Sequence, residues 1–438
     1  MDRNRTVSLC VLVRGEAPFL ARCLASFKEV VHEYCVLFID AEAADVVVAE
    51  SFGAKVDHFD WNADFSEARK RCLEMASMNW VVMVDSDEYL HQESIPVINE
   101  AFMRHDCDGF LVRILSFSRE GTPFYITNIA PRIFRNNGEF YYGGVVHEQL
   151  KNKHSAIDFE LVEVAIHHTG NLRKIRSKKS KDGLTLIKKL LAEDKTNMIN
   201  LFYLAQELSY YKNRQKETLE LLEMLYEKID FEEEFAPRLV IFRVLALIRE
   251  KAFKKALVAI EEGLAHFPLF TDLVYQRGII ERKKGLVVKP IQSFKKCLVM
   301  GVPPAKLEFS NAAYGYGPLF NLAQLMQQEM FFEEAYDYYQ ECWLLDSGNY
   351  HLLSPMFDCL VKMGHTRDEV AMQMKRYFNL HNDLNRVSYV NLLLNKSFFA
   401  EAYKFLNSTD LWQAENKRQQ LLKKALVGMD FASTLDCE

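Results

Sequence analysis

A chain of 438 residues, 49% hydrophobic and 26% charged, has the composition of an ordinary globular protein and enough length for two or more cores. Its net charge of −6 supplies no basic footprint for nucleic acid, and no apolar run approaches the roughly 18 residues that a transmembrane span needs. The nine cysteines are scattered singly, Cys10, Cys35 and Cys72 among apolar neighbours. Met1 to Thr6 leads into a strand-like segment rather than a signal peptide, so a reduced, cytoplasmic protein is expected.

Val7 to Val13 reads as a first buried strand, broken by Arg14-Gly15-Glu16-Ala17-Pro18. Phe19, Leu20, Cys23, Leu24 and Phe27 then carry helical spacing. A second strand, Tyr34 to Ile39, ends at Asp40. A short helix over Val46 to Phe52 stops at Gly53, and a third strand follows at Lys55 to Phe59. Asp64-Phe65-Ser66-Glu67-Ala68-Arg69 opens the next helix, with Asp64 or Ser66 as N-cap, running to about Met78. The fourth strand, Val81-Val82-Met83-Val84, passes without a break into Asp85-Ser86-Asp87-Glu88. This alternation predicts an α/β fold with a doubly wound, mostly parallel, Rossmann-like sheet.

In such a sheet the carboxyl ends of the strands border the ligand crevice. Asp40, Asp64 and the pair Asp85/Asp87 all fall there. Acids at those places suit a nucleotide's base, its ribose hydroxyls and a metal on its phosphates. Two carboxylates one residue apart on a rigid strand end suit a hard cation, Mg²⁺ or Mn²⁺. For any one acid alone, a helix cap or turn former is the competing reading.

Four blocks, in order, resemble bacterial family-2 glycosyltransferases: Ser8 to Glu16 with Phe19 to Ser26, Trp61 to Arg69, Trp80 to Glu88, and Pro131 to Arg135 followed by Gly144-Val145-Val146-His147-Glu148. Together they span about residues 6 to 175. The pattern is similar to members with helical-repeat tails, including the glycocin (sublancin-type) enzymes that glycosylate cysteine or serine of peptides. The resemblance implies a GT-A catalytic domain over 1–175, a UDP-sugar donor and a metal-dependent, inverting hexosyl transfer. It further implies that Asp40 and Asp64 contact uracil and ribose, that Asp85 touches ribose or metal, and that Asp87 ligates the metal. Val13, Arg14, Glu16, Arg69 and Ser86 join the donor site from the same blocks. His147 would be a further metal or diphosphate ligand, with His168 of Ile166-His167-His168-Thr169-Gly170-Asn171 as a second candidate. Glu148 would be the general base. Two departures stand out: Gly15 where members usually carry Asn, and Ala41-Glu42-Ala43-Ala44-Asp45 where they carry a Gly-Ser-Thr-Asp-like turn.

Arg173 to Lys181 packs six cations into nine residues. The run reads as a solvated helix start or as a flap that neutralises a diphosphate. From about Asp182 the pattern is helical throughout. Helix pairs are expected at 201–211/216–229, 239–250/253–266, and within 273–300, 319–345, 352–377 and 387–406. Small or apolar residues of the second helices, Ala256, Ile291, Ala335, Val370 and Ala402, step by 35, 44, 35 and 32 residues. These steps lie near the roughly 34-residue tetratricopeptide period with one insertion, Gly301 to Pro318. Residues 176–438 are therefore expected to form an all-α, TPR-like domain whose concave face suits a peptide acceptor or, in a homodimer, another copy of the chain.

The leading expectation is a transferase acting on cysteine or serine of a peptide. A cell-surface saccharide or lipid-linked sugar is the second acceptor class. A repeat scaffold that binds nucleotide without turnover is the alternative from another class.

Overall fold

The computed structural model describes residues 5–14, 18–40, 42–62, 64–104, 106–117, 122–144, 148–153, 157–169, 184–185, 187–188, 190–192, 194–408 and 414–435. They form two compact units, Met1–Leu286 with Val299–Tyr314, and Val287–Leu298 with Gly315–Glu438.

The first unit holds an eight-stranded sheet ordered β3-β2-β1-β4-β7-β6-β10-β5. Its strands are β1 Val7–Arg14, β2 Glu33–Ile39, β3 Lys55–His58, β4 Trp80–Asp85, β5 Glu88–Leu90, β6 Gly109–Phe117, β7 Tyr125–Arg135 and β10 Phe159–His168. A separate hairpin pairs β8 Phe140–Gly143 with β9 Gln149–Asn152. β1 pairs in parallel with β2 and β4, and β2 with β3, as the alternation predicts. The other half is mixed. β7 runs antiparallel to both β4 and β6, while β10 is parallel to β6 and antiparallel to β5. The departure from a doubly wound sheet has a simple cause: β6 and β7 pair as an antiparallel hairpin, which needs no crossover helix.

Both faces of β1, β2 and β4 are covered, which is why these strands read as apolar runs, whereas β3 at the sheet edge is partly exposed. Val7, Leu9, Val11 and Val13 of β1 pack in one core with Leu20 and Leu24 of α1 (Leu20–Ser26), Ala49 of α2 (Ala43–Ser51) and Ile98 of α4 (Ile95–Ala101). The alternate residues Cys10 and Leu12 face Ala68 and Cys72 of α3 (Phe65–Met75) together with Phe140, Tyr142 and Leu150 of the hairpin. Full burial of each aliphatic side chain contributes about 1.5–3 kcal/mol. Asp64, not Ser66, caps α3: its Oδ1 accepts from the amides of Ser66 at 2.8 Å and Glu67 at 3.4 Å.

Helices Met198–Leu208, Gln215–Tyr226, Ala236–Arg249, Phe253–His266 and Thr271–Lys283 complete the first unit. In the second, Tyr316–Gln328, Phe332–Leu345, Leu353–Lys362, Arg367–Lys375, Asp383–Asn395 and Phe399–Ser408 follow the expected pairs. The helix Glu415–Leu435 was not expected, because its charged sequence shows little apolar periodicity. Ala256, Ala335, Val370 and Ala402 are fully buried, whereas Ile291 is only half-buried. Gly263 allows a close helix approach, since a Cβ there would stand 2.6 Å from Val240 Cγ1 and 2.9 Å from Leu273 Cδ1.

The insertion is fixed rather than free. Thr127 donates its amide to Phe309 O at 2.8 Å, Asn311 Nδ2 donates to Pro123 O at 2.8 Å, and Asn311 Oδ1 accepts from Tyr125 N at 2.9 Å. Arg113 Nε lies 3.0 Å from Glu308 Oε2, a carboxylate buried beneath this seam. Residues 308–311 thus tie the helices of the first unit to β6 and β7.

Candidate active site

Register aligns the carboxyl ends of the four parallel strands along one edge. Arg14 pairs with Ile39, Phe38 with His58, and Leu12 with Asp85. Ser86 continues this edge by donating its amide to Leu12 O at 3.2 Å. Arg14 and Asp40 stand on the edge, and Asp64 follows the third strand.

Asp85 ends β4 against a buried charge cluster. Arg69, from α3, gives Nη2 to Asp85 Oδ1 at 2.9 Å and Nε to Glu148 Oε1 at 2.5 Å. Arg132, from β7, gives Nη2 to Glu88 Oε1 at 2.5 Å and lies 3.6 Å from Asp85 Oδ2. Glu88 Oε2 accepts the amide of Asp85 at 3.0 Å, closing the turn on itself. Burial pulls the guanidinium of Arg69 down, but Asp85 and Glu148 outweigh it and hold it well above its ordinary value. Burial pushes Glu88 up, partly offset by Arg132. Desolvation of this size is tolerable only because each charge meets an opposite one.

Three further donors face this cluster. Arg69 Nη1, Arg132 Nε and Tyr142 Oη are buried without a hydrogen-bond partner among the described residues. Tyr142 lies with its ring centroid 5.4 Å from the Arg69 guanidinium carbon, and burial raises its hydroxyl so that it stays a donor. Buried donors of this kind ask for an acceptor such as a water or an anionic oxygen.

Asp87 turns the other way. Its Oδ1 stands 3.5 Å from Nε2 of His168, whose Nδ1 is 3.2 Å from Ser116 Oγ. Thr169 fixes the backbone beneath: its amide and its hydroxyl both donate to Asp87 O at 3.0 Å. The strand pair β5/β10 therefore carries the second acid to a histidine, and β4 carries the first to two arginines. Among the described residues no group of three or more His, Cys, Asp and Glu forms a metal cage. The Asp87–His168 pair fits a cation that takes its remaining ligands from a substrate, the usual habit of Mg²⁺.

The remaining sites divide. Val13 is fully buried in β1 and acts through packing. The Arg14 guanidinium sits 4.1 Å over the Trp61 ring, which packs on Phe65 at 4.6 Å. Asp40 is exposed in a left-handed conformation at φ 49°. Asp64 spends one carboxylate oxygen on its helix cap. Glu16, His147 and the Arg173–Lys181 run lie outside the described residues. Arg132, Glu88 and Tyr142 were missed as site residues. Arg132 had a signal, a lone cation in the apolar stretch Ile129–Phe134, whereas Tyr142 reads as an ordinary strand aromatic.

A family model described as Glycosyl transferase family 2 matches residues 8–161. A TPR repeat-containing protein of Synechococcus elongatus is 33% identical over 142 residues, 32% of this chain and 34% of its own. The SPbeta prophage-derived glycosyltransferase SunS of Bacillus subtilis is 24% identical over 289 residues, 63% of this chain and 66% of its own. The match thus spans about a third of the first relative's length and just under two thirds of the second's. Among solved structures, a tetratricopeptide repeat protein from Parabacteroides merdae aligns with a TM-score of 0.35 at 13% identity, covering 57% of this chain and 94% of that one. S. aureus TarS aligns with a TM-score of 0.31 at 13% identity, covering 56% and 54%. No helix among the described residues is long and apolar enough to cross a membrane. Residues 8–161 of this chain are a glycosyl transferase family 2 domain, and helical repeats make up most of the chain beyond it.

Proposed function

We propose that the protein transfers a hexose from a UDP-sugar, with inversion and with Mg²⁺ or Mn²⁺, to cysteine or serine of a peptide. The observation that carries the proposal is the placement of Asp85, Asp87 and Glu148 around one strand end, each already oriented by a partner: Arg69, His168 and Arg69 again. Such preorganisation suits groups that act on charge as it develops. The likeness over 289 residues to a chain named a glycosyltransferase supports turnover over a nucleotide-binding scaffold.

In this reading Asp87 and His168 hold the divalent ion, and the ion would offset charge on the leaving diphosphate. Arg132 and Arg69 present their spare donors, Nε and Nη1, toward phosphate oxygens. Asp40 and Asp64 serve uracil and ribose, with the Trp61–Phe65 surface under Arg14 beside them. Glu148, held through Oε1, takes the acceptor's proton on Oε2 as the acceptor oxygen or sulfur bonds to the anomeric carbon. The bond from that carbon to the diphosphate oxygen breaks with its electron pair, so a single displacement inverts the configuration. A concave repeat face supplies room for a peptide.

The test is mass spectrometry of short cysteine- and serine-containing peptides after incubation with the protein, Mn²⁺ and a set of UDP-hexoses. A mass gain of one hexose on such a peptide is expected. Hexose added only to a saccharide or lipid-linked acceptor would move the proposal to that class, and absence of any UDP release would leave a binding scaffold.

A further inference from the structure

The second unit contains a cleft of about 500 Å³ between the helix Tyr316–Gln328 and the start of the next pair. Its wall is one helix face: Tyr316, Phe320, Gln324 and Gln327 recur at helical spacing. Asn349 and His351 stand opposite, with Tyr339 also in the lining. In a chain that is 26% charged, none of the ten lining residues is Asp, Glu, Lys or Arg. Apart from the imidazole of His351, a phosphate, a nucleotide or a charged peptide would find no charged partner in this lining.

The polar groups are instead neutral and pre-set. Tyr339, a residue 1% exposed, donates its hydroxyl to Gln327 Oε1 at 2.9 Å, and Asn349 Nδ2 donates to the Tyr316 hydroxyl at 3.0 Å. Each contact fixes a carboxamide, a group that both donates and accepts, as vicinal hydroxyls do. The apolar part is aromatic, for the Tyr316 and Phe320 rings stack with centroids 5.7 Å apart and 14° between their planes. An aromatic ring face matches the C–H face of a pyranose, whereas an extended peptide asks for separate pockets for alternate side chains. The volume lies within the ordinary range for small-ligand sites.

We propose that this cleft is a binding site for an uncharged saccharide of one or two rings, separate from the donor crevice. It does not depend on the donor being a UDP-sugar, because the lining residues come from the repeat helices alone. On a chain with a transferase domain, such a site would hold a sugar already present on the acceptor.

The test uses the intact chain and ligand-observed NMR with methyl glucoside, methyl galactoside, methyl N-acetylglucosaminide and maltose at millimolar concentration, with and without UDP. At least one saccharide is expected to bind, and UDP is expected not to displace it. Gln324→Ala, a partly exposed position, and Phe320→Leu, which keeps an apolar side chain but removes the ring, should each weaken binding by roughly tenfold or more. Circular dichroism of both variants should match the parent. No binding by any of the four, displacement by UDP, binding unchanged in Gln324→Ala, or competition by an uncharged peptide would each overturn the proposal.

Discussion

The guanidinium of Arg69 and the carboxylate of Glu148 meet at 2.5 Å with side chains only 7% and 11% exposed, and the same guanidinium holds Asp85 at 2.9 Å. One buried cation therefore sets the positions of two acids that reach the crevice from different elements. β4 delivers Asp85, and the residue before β9 delivers Glu148. A fork with two separate N–H directions can do this and an ammonium cannot.

Arg69→Met should accordingly remove both orientation and charge balance. Glu148, 11% exposed, would lose its cation, at a cost of up to about 3–5 kcal/mol. The 37% exposed Asp85 keeps Arg132 nearby and solvent to screen it. The loss is read as a lowered thermal midpoint of the full chain. Arg69→Lys should recover part of the midpoint and little of the transfer rate. Equal midpoints for Met and the parent would mean that the pair contributes nothing.

Glu148→Gln keeps the shape and the acceptor for Arg69 Nε while removing the proton-accepting oxygen. Transfer should fall by about 10²- to 10⁴-fold, with donor binding close to the parent and a thermal midpoint lowered less than in Arg69→Met, since Arg69 keeps Asp85 as its opposite charge. A rate within a few-fold of the parent would remove Glu148 from the proposed chemistry.

Asp272 provides a pH signature of its own. Burial pushes its carboxyl up to about 8, although Oδ1 accepts the Ser310 amide at 3.1 Å and Arg238 lies near. A carboxyl raised in the folded state binds its proton more tightly there than in the unfolded chain. Its contribution is full below its unfolded value of about 3.9 and is lost as pH rises through about 8. Asp272→Asn should therefore lose little stability near pH 5 and gain relative to the parent at pH 8, measured as thermal midpoints at both. A parent–variant difference independent of pH would contradict this.

Glu308→Ala should loosen the insertion without touching the crevice. Arg113 would lose a buried partner at 3.0 Å and keep only the exposed Glu163. Hydrogen exchange should then speed up at Thr127, whose amide is bonded to Phe309 O. β1, β2 and β4 should stay protected, since they bury both faces elsewhere.

Of the first four strands, β1, β2 and β4 were legible in the sequence because each is an apolar run ended by a turn or an acid, and the partly exposed β3 by its place in the alternation. The β6–β7 half was not. β7 carries Pro131 and Arg132 in mid-strand, and Pro131 sits at an irregularity of register next to Leu111, where a missing amide is tolerated. The acids of the site were readable from their strand-end positions. Their partners were not, because Arg69 and Arg132 are joined to them only by the fold. The sequence placed Asp85 and Asp87 together as a pair, whereas their side chains part, one to the arginines and one to His168. Helix pairs were found by their period, and the helix Glu415–Leu435 was missed because it lacks one.

The most direct measurement is UDP release from a panel of UDP-hexoses with Mn²⁺, comparing the parent with Asp87→Ala at equal circular dichroism. The account predicts release by the parent, dependent on the metal, and its abolition in Asp87→Ala. Undiminished release by that variant, or release by the parent that a chelator does not affect, would contradict it.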